Sequence, residues 1–577
     1  MGKKVEKRVK GPKNASKDPK NVKKDRVNLK QKKGRPLKKG GGKKKLVGKG
    51  KNDLKTAKKK VSARESKLEF KKRLNKMYSN LLLEHRDSAK TQKTIGLLLK
   101  ELGTDYCTSS NKRNVSRILQ ACLKYGDVEV KRSIAEVVKG NFNISNLNLH
   151  SSRFLIKLYH YCNTEVKQYL SNAFFNDKDK KLLFSRYGSD IMDIMYSKMK
   201  NKEQLATLKL YTLSNAFLLN HDLTRQILSA NSISQFINII LESPDKDSCK
   251  EKLSSVITKL VEKELFTSSL SHDLLYIYLH LIDDFGELIS QLYKVFGQLL
   301  STRNGNFTLC KLFGHATSKI RKFIVKTLKT DFPEAIYNRI NVSFVIKAVM
   351  CTDDTKLTLQ YLIKPHQETL KEVIFHPFAH RFVLAIVDPQ PLVDSPTSVK
   401  DQETRQKELQ EGIVPNLVEL FNQLDLKNAL EDKFASAVLL HTLKLSKDQE
   451  LLKKILSVFS DSVNEGLGLL ENQISLWFLQ SLIKPSNKVS YELSGLKLPE
   501  LIWEFLKGKV KDLLLSKAVF LLVDLYEASV KHENGSLVSE MKDTVTMKDI
   551  KKCKKILGED KCTGINLLEK LVNGKED

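Results

Sequence analysis

The sequence predicts an all-α protein, a helical-repeat solenoid behind a disordered basic amino-terminal tail, and three observations carry that reading. From Leu68 onward apolar residues recur at helical spacing, with no sustained alternation of period two. Proline is sparse, 13 in 577 residues, and the helical stretches run on without regular turn signals. A helical pattern then returns about every 36 residues, the period of stacked helix pairs that bury their apolar faces on one another. A chain of this length is too long for one compact core, and an extended array satisfies that limit.

The first segment, residues 1–65, is expected to be disordered. It is built of Lys, Gly, Pro and Asn and holds too little apolar surface to offset chain entropy. Residues 1–60 carry 26 Lys/Arg against 4 Asp/Glu, so most of the net charge of +34 sits there. Such a block points to a polyanion partner, RNA or DNA, and away from a membrane, since no apolar anchor accompanies it. Its densest part, KKGRPLKKGGGKKK, has the composition of a nuclear or nucleolar address read by an import receptor, or of an RNA-binding arm. The stretch Gly42 to Gly50 is no phosphate-binding loop. It has one residue too many between its glycines and Gly50 where Ser or Thr would hold magnesium. The eight scattered cysteines form no C-x-x-C pair and are expected to be reduced, in an intracellular protein.

Three further segments follow: an amino-terminal block of repeats over 66–388, a polar insertion loop over 389–409 and a carboxy-terminal block over 410–577. The first block is organised around KRNVSRILQACLKYGDVEVKR, Lys112 to Arg132. Read as a helix, it places Ser116 and Gln120 one turn apart, Arg117 beside them, and Ile118, Leu119, Cys122 and Leu123 toward a core. Ser116 and Gln120 can hydrogen-bond a flat ligand edge, and Arg117 can stack on its face. SRILQACLKYG at 116–126 recurs as SRFLIKLYHYC at 152–162, with Ser152 and Arg153, and then as SDIMDIMYSKM at 189–199, beginning at Ser189. Far downstream, Asn306 to Leu328 aligns with Ser116 to Val138, setting Arg321 and Lys322 against Lys131 and Arg132.

The Ser-Arg-x-x-Gln head, the period and the segments GNFTLCKLFGHATSKIRKFIVKTLKT, VMCTDDTKLTLQYLI and GINLLEKL resemble the Pumilio (PUF) repeat superfamily, and within it the Puf-A/Penguin branch. The resemblance implies a right-handed-type, armadillo-like stack of about eleven repeats, curved or L-shaped, acting as a monomer in the nucleolus. It also implies non-enzymatic RNA binding of low sequence specificity, on pre-rRNA or a pre-ribosomal particle, among ribosome assembly proteins. The middle positions of the reading helices would then include Arg117, Arg153, Asp190, Ala216, Phe307, Ser436 and Trp477. Only the first repeat keeps a full base-reading set. The second has Ile156 in place of Gln, and the third has an anionic Asp190 where a stacking platform is wanted.

Affinity is therefore expected from phosphate contacts. In SKIRKFIVKTLK, Lys319, Lys322, Lys326 and Lys329 recur at three, four and three, share one helix face, and with Arg321 form a basic stripe. Other candidates are weaker. His376 and His380 have metal-like spacing, but Pro377 lies between them and the glutamate of a zinc protease motif is missing. Asp353 and Asp354 are expected to cap a helix and Trp477 to fill a core. No nucleophile stands at informative spacing from a base, and no metal or cofactor is expected. Two other readings remain open at this stage: a HEAT- or armadillo-like protein-binding scaffold whose tail only localises it, and a sequence-specific mRNA-binding regulator.

Overall fold

The computed structural model describes residues 51–573, apart from 104–105, 142–146, 176–181, 215–220, 390–399, 484–496, 532–533 and 558–561. Every regular element among the described residues is a helix. The chain divides into two units, Met1–Arg73 and Leu74–Asp577. In the first, helix begins at Lys51, ahead of the boundary drawn at 66 from composition. The stretch 51–65 has no Gly or Pro to oppose it, and Lys, Ala and Leu favour helix. Residues 1–50 of the expected disordered tail lie outside the described residues.

The second unit is organised by a continuous row of eleven helices among the described residues, each packed against the next. They are α1 (Arg113–Tyr125), α2 (Leu149–Tyr161), α3 (Arg186–Tyr196), α4 (Ser269–Leu281), α5 (Arg303–His315), α6 (Val342–Cys351), α7 (His380–Val387), α8 (Lys433–Ser446), α9 (Gln473–Ile483), α10 (Val519–Lys531) and α11 (Thr563–Val572). Further helices, such as Val128–Asn141 and Ser318–Thr327, alternate with them. One hydrophobic core runs through the unit, from Leu74 to Leu568. Polar caps set where the row helices start. Asn148, Ser268, Thr302 and Asp432 each accept a backbone amide at the first turn of α2, α4, α5 and α8.

Two features depart from the plain repeat. Between α3 and α4 the chain inserts the helices Asn201–Thr212, His221–Ser229, Ile233–Glu242 and Lys246–Glu262, yet α3 packs directly on α4. Ala216, expected on a reading helix, falls outside the described residues. The join is polar: Tyr196 and Asn304 donate to the two oxygens of Asp273 at 2.6 and 2.7 Å, and the Ser269 amide donates to Asp193 at 2.6 Å. Burial pushes the Asp273 carboxyl above its ordinary range.

The second departure corrects the polar loop expected over 389–409. Helix Gln402–Gln423 starts inside it, capped by Asp401, which accepts the Thr404 amide at 2.9 Å. Arg405, Leu409, Ile413, Leu417 and Phe421 recur every four residues and are buried. The polar residues between them hide this buried stripe from a reading of composition.

Candidate nucleic-acid interface

In six helices of the row, α1, α2, α3, α5, α7 and α9, one rule of placement repeats. The fourth residue after the capping residue is buried, and the fifth faces solvent. Thus Ser116, Ser152, Ser189 and Asn306 are at most 2% exposed, while Arg117, Arg153, Asp190 and Phe307 are exposed. In α7 the His376 ring nitrogen accepts the Phe378 and Ala379 amides, His380 is buried and Arg381 exposed. In α9 Asn472 caps, Leu476 is buried and Trp477 is 45% exposed.

This placement corrects the reading of the serines. Ser116 Oγ donates to the His150 carbonyl at 2.7 Å and accepts from Gln120 Nε2 at 2.9 Å. Ser152 Oγ repeats the bond to the Tyr187 carbonyl at 3.4 Å. These hydroxyls tie each row helix to the next and are not presented to a ligand. Ser189 Oγ is buried without a hydrogen-bond partner, in α3, where the inserted helices interrupt the succession. A helix turns about 100° per residue, so moving from Ser116 to Arg117 moves from an interhelical seam to open surface. Gln120 is half-buried, its amide held by Ser116.

The basic stripe is also redistributed. Lys319 and Lys326 are exposed on helix Ser318–Thr327. Lys322 is engaged by Asp354 at 2.7 Å, and Lys329 Nζ lies 5.6 Å from the Tyr361 ring centroid. Arg321 does not belong to a surface stripe, because it is fully buried. Its Nε donates to the Phe313 carbonyl at 3.1 Å, Nη2 to Gly314 at 2.6 Å and Nη1 to Cys351 at 2.7 Å, with Asp353 at 3.8 Å. The guanidinium thus closes the carboxy-terminal ends of α5 and α6, where free carbonyls attract a cation. At the aligned place in the first repeat, Lys131 is half-buried with Nζ 5.4 Å from the Tyr161 ring, and Arg132 is exposed.

The strongest concentration of suitable groups lies elsewhere on the row. Between α5 and α6 runs an open groove of about 630 Å³, lined by Arg303, Phe307, Cys310, Arg339, Ser343 and Lys347 among others, with no carboxylate in its lining. Phe307 is 46% exposed, edge-on to Tyr276 at 5.2 Å and parallel to His280 at 6.2 Å. Beneath it Asn306 accepts from Ser343 Oγ at 3.0 Å, fixing the floor. Burial pushes the Cys310 thiol up to about 12, so it stays protonated. Arg303 and Arg339 are exposed and Lys347 is buried, so the two arginines offer charge to phosphates and the Phe307 ring offers a face to a base. Only the position of Phe307 was legible in the sequence. Arg303, Arg339 and Lys347 come from two helices and the segment before α6, and no linear spacing joins them.

The remaining candidates have structural roles. His376 caps α7, and His380 stacks on Phe434 with centroids 4.5 Å apart. No group of three potential metal ligands exists among the described residues. Asp354 caps as expected, accepting the Leu357 amide at 3.0 Å. Trp477 is not the core residue expected, since the placement rule turns it outward.

Comparison with known proteins agrees with this architecture. Residues 390–492 match the model of the CPL (NUC119) domain. The chain is 25% identical to the Saccharomyces cerevisiae protein "Pumilio homology domain family member 6" over 65% of its own length and 60% of the relative's. It is 22% identical to the human "Pumilio homolog 3" over 60% of the chain and 55% of that protein. The matched part therefore spans somewhat over half of these relatives. Among solved structures, human Puf-A superposes with a TM-score of 0.66 at 20% identity, covering 88% of this chain and all of that one. Human Puf-A in complex with DNA gives 0.64 at 18% identity, covering 85% and 99%. The row of capped helices has the helical-repeat fold seen in human Puf-A, and the chain is similar in sequence to Pumilio homologs. Within that architecture the chain shares the fold of human Puf-A, the branch that its sequence resembles.

Proposed function

We propose that this chain binds nucleic acid through its phosphate backbone with little base selectivity. It does so as a non-enzymatic scaffold on pre-ribosomal RNA in the nucleolus, during assembly of the large ribosomal subunit. The observation that carries the binding is the groove between α5 and α6, where the exposed Arg303 and Arg339 line it with the exposed Phe307, Lys347 is buried in its wall, and no carboxylate is present. Along the same edge of the row, Arg117, Arg153 and Arg381 face solvent, and so does Trp477. The base-edge readers of a sequence-specific array are buried in the seams instead, which supports backbone over base recognition. A solved human relative of the same fold is bound to DNA. The nucleolar and ribosomal part of the reading rests on the family resemblance and on the basic tail.

The test is fluorescence anisotropy of the full chain on single-stranded and duplex RNA across a salt series. Arg303→Glu/Arg339→Glu should weaken binding about tenfold or more and flatten the salt dependence, equally for unrelated sequences. Phe307→Ala should weaken single-stranded RNA more than duplex, because only an unpaired base can stack on the ring. Binding by these variants at wild-type strength would sink the groove reading. A loss confined to one sequence would mean base readout instead.

A further inference from the structure

A second cationic surface lies far along the chain, on helix Met547–Leu557, MKDIKKCKKIL. Ile550 and Cys553 are buried, and the helix packs on Val510–Leu514 and on α11, so its orientation is fixed. Lys548, Lys551, Lys552 and Lys555 are all exposed, and their spacing of three, one and three puts them on one face. Among the described residues, two acidic groups nearby are already used. Asp549 accepts from Thr546 Oγ1 at 2.6 Å and faces Lys511 Nζ at 3.7 Å, while Glu569 takes Lys554. None of the four lysines has an acidic partner among the described residues.

This arrangement differs from helix Ser318–Thr327, where Asp354 engages Lys322, and from Lys329 just beyond that helix, which lies over the Tyr361 ring. On Met547–Leu557 the pairs Lys548/Lys552 and Lys551/Lys555 repel at i,i+4, with no acidic partner among the described residues to offset them. An external polyanion would relieve that repulsion. The four ammonium groups stand along about 10 Å of helix, and a duplex carries one charge per ~1.7 Å of its axis. Lysine offers a mobile point charge without the planar fork of arginine, so the contact would be blind to base identity.

We propose that this face of Met547–Leu557 is a second phosphate-backbone surface, separate from the groove between α5 and α6, which adds its own contacts to a nucleic-acid ligand. It rests on the nucleic-acid reading for the nature of the ligand and is independent of the groove. The experiment compares full-length Lys551→Glu/Lys552→Glu/Lys555→Glu with the groove variant Arg303→Glu/Arg339→Glu. The probe is an RNA duplex of about 40 base pairs, between about 50 and 200 mM salt. The lysine variant should melt like wild type, bind at least about tenfold more weakly at the lowest salt, and lose roughly 2 to 3 from the slope of log K against log salt. The corresponding triple alanine variant should show the same slope loss, which separates lost contacts from added repulsion. If only the groove variant weakens, the second surface is refuted and the groove reading stands. If only the lysine variants weaken, the reverse holds, and if neither does, both fail. Lost binding to polyglutamate with RNA binding intact would also overturn the proposal, in favour of an acidic protein partner.

Discussion

Replacing Arg321 separates a structural clamp from a nucleic-acid contact. In Arg321→Ala, the Phe313, Gly314 and Cys351 carbonyls lose their donor in a site with no access to water. Each hydrogen bond from a charged donor is worth about 1.5–3 kcal/mol. Against this stands the desolvation of the guanidinium, whose pKa burial holds below its ordinary value. Removing one member of a buried charged cluster costs about 3–5 kcal/mol net, and about 4 kcal/mol is the expected loss here. Because a solenoid is stabilised repeat by repeat, the loss should be local. Native-state hydrogen exchange should show amides of α5 and α6 opening about three orders of magnitude more readily, at ~1.4 kcal/mol per tenfold, with amides in α1 and α2 unchanged. Arg321→Lys should recover part of the protection, since an ammonium reaches fewer of the three carbonyls. Protection within tenfold of wild type, together with a clear loss of RNA affinity, would refute the clamp and return Arg321 to the binding surface.

Two further outcomes follow from other buried groups. Burial lowers the His366 imidazole from 6.5 to about 4, so between these values the unfolded chain binds the proton and the folded chain does not. Stability from this group is full above pH 6.5 and falls by about 3 kcal/mol as pH drops to 4. The urea midpoint of wild type should therefore lose more than that of His366→Leu over this range, and parallel curves would exclude the effect. At Gly305 in α5, a Cβ would stand 2.4 Å from the Leu299 carbonyl oxygen and 2.8 Å from His272 Nδ1. Gly305→Ala should thus cost about 1–3 kcal/mol through overpacking against backbone that cannot yield, and a melting temperature equal to wild type would contradict that geometry.

Much of the fold was legible because the signals are local and periodic. The recurrence of Ser-Arg from 116 to 152 marks two neighbouring row helices, and Asp354 was readable as a cap because capping depends on a few adjacent residues. The helix at Gln402 was missed because its buried positions are thinly spread among charged ones and one of them is a charged residue, Arg405, which donates to the Thr352 carbonyl at 2.8 Å. Trp477 was placed in a core because a large aromatic is usually buried, but its step beyond Leu476 carries it to the outer edge.

The sequence by itself determined the helical class, the repeat period near 36, the resemblance to Pumilio repeats and the concentration of charge in the first 60 residues. Tertiary packing decided the direction of each polar side chain. A helix presents a new direction every residue, and only the neighbouring repeat settles which direction is seam and which is surface. That is why Ser116 became a tie between helices and Arg321 a buried clamp. It is also why Arg303, Phe307, Arg339 and Lys347, from separate segments, line one groove.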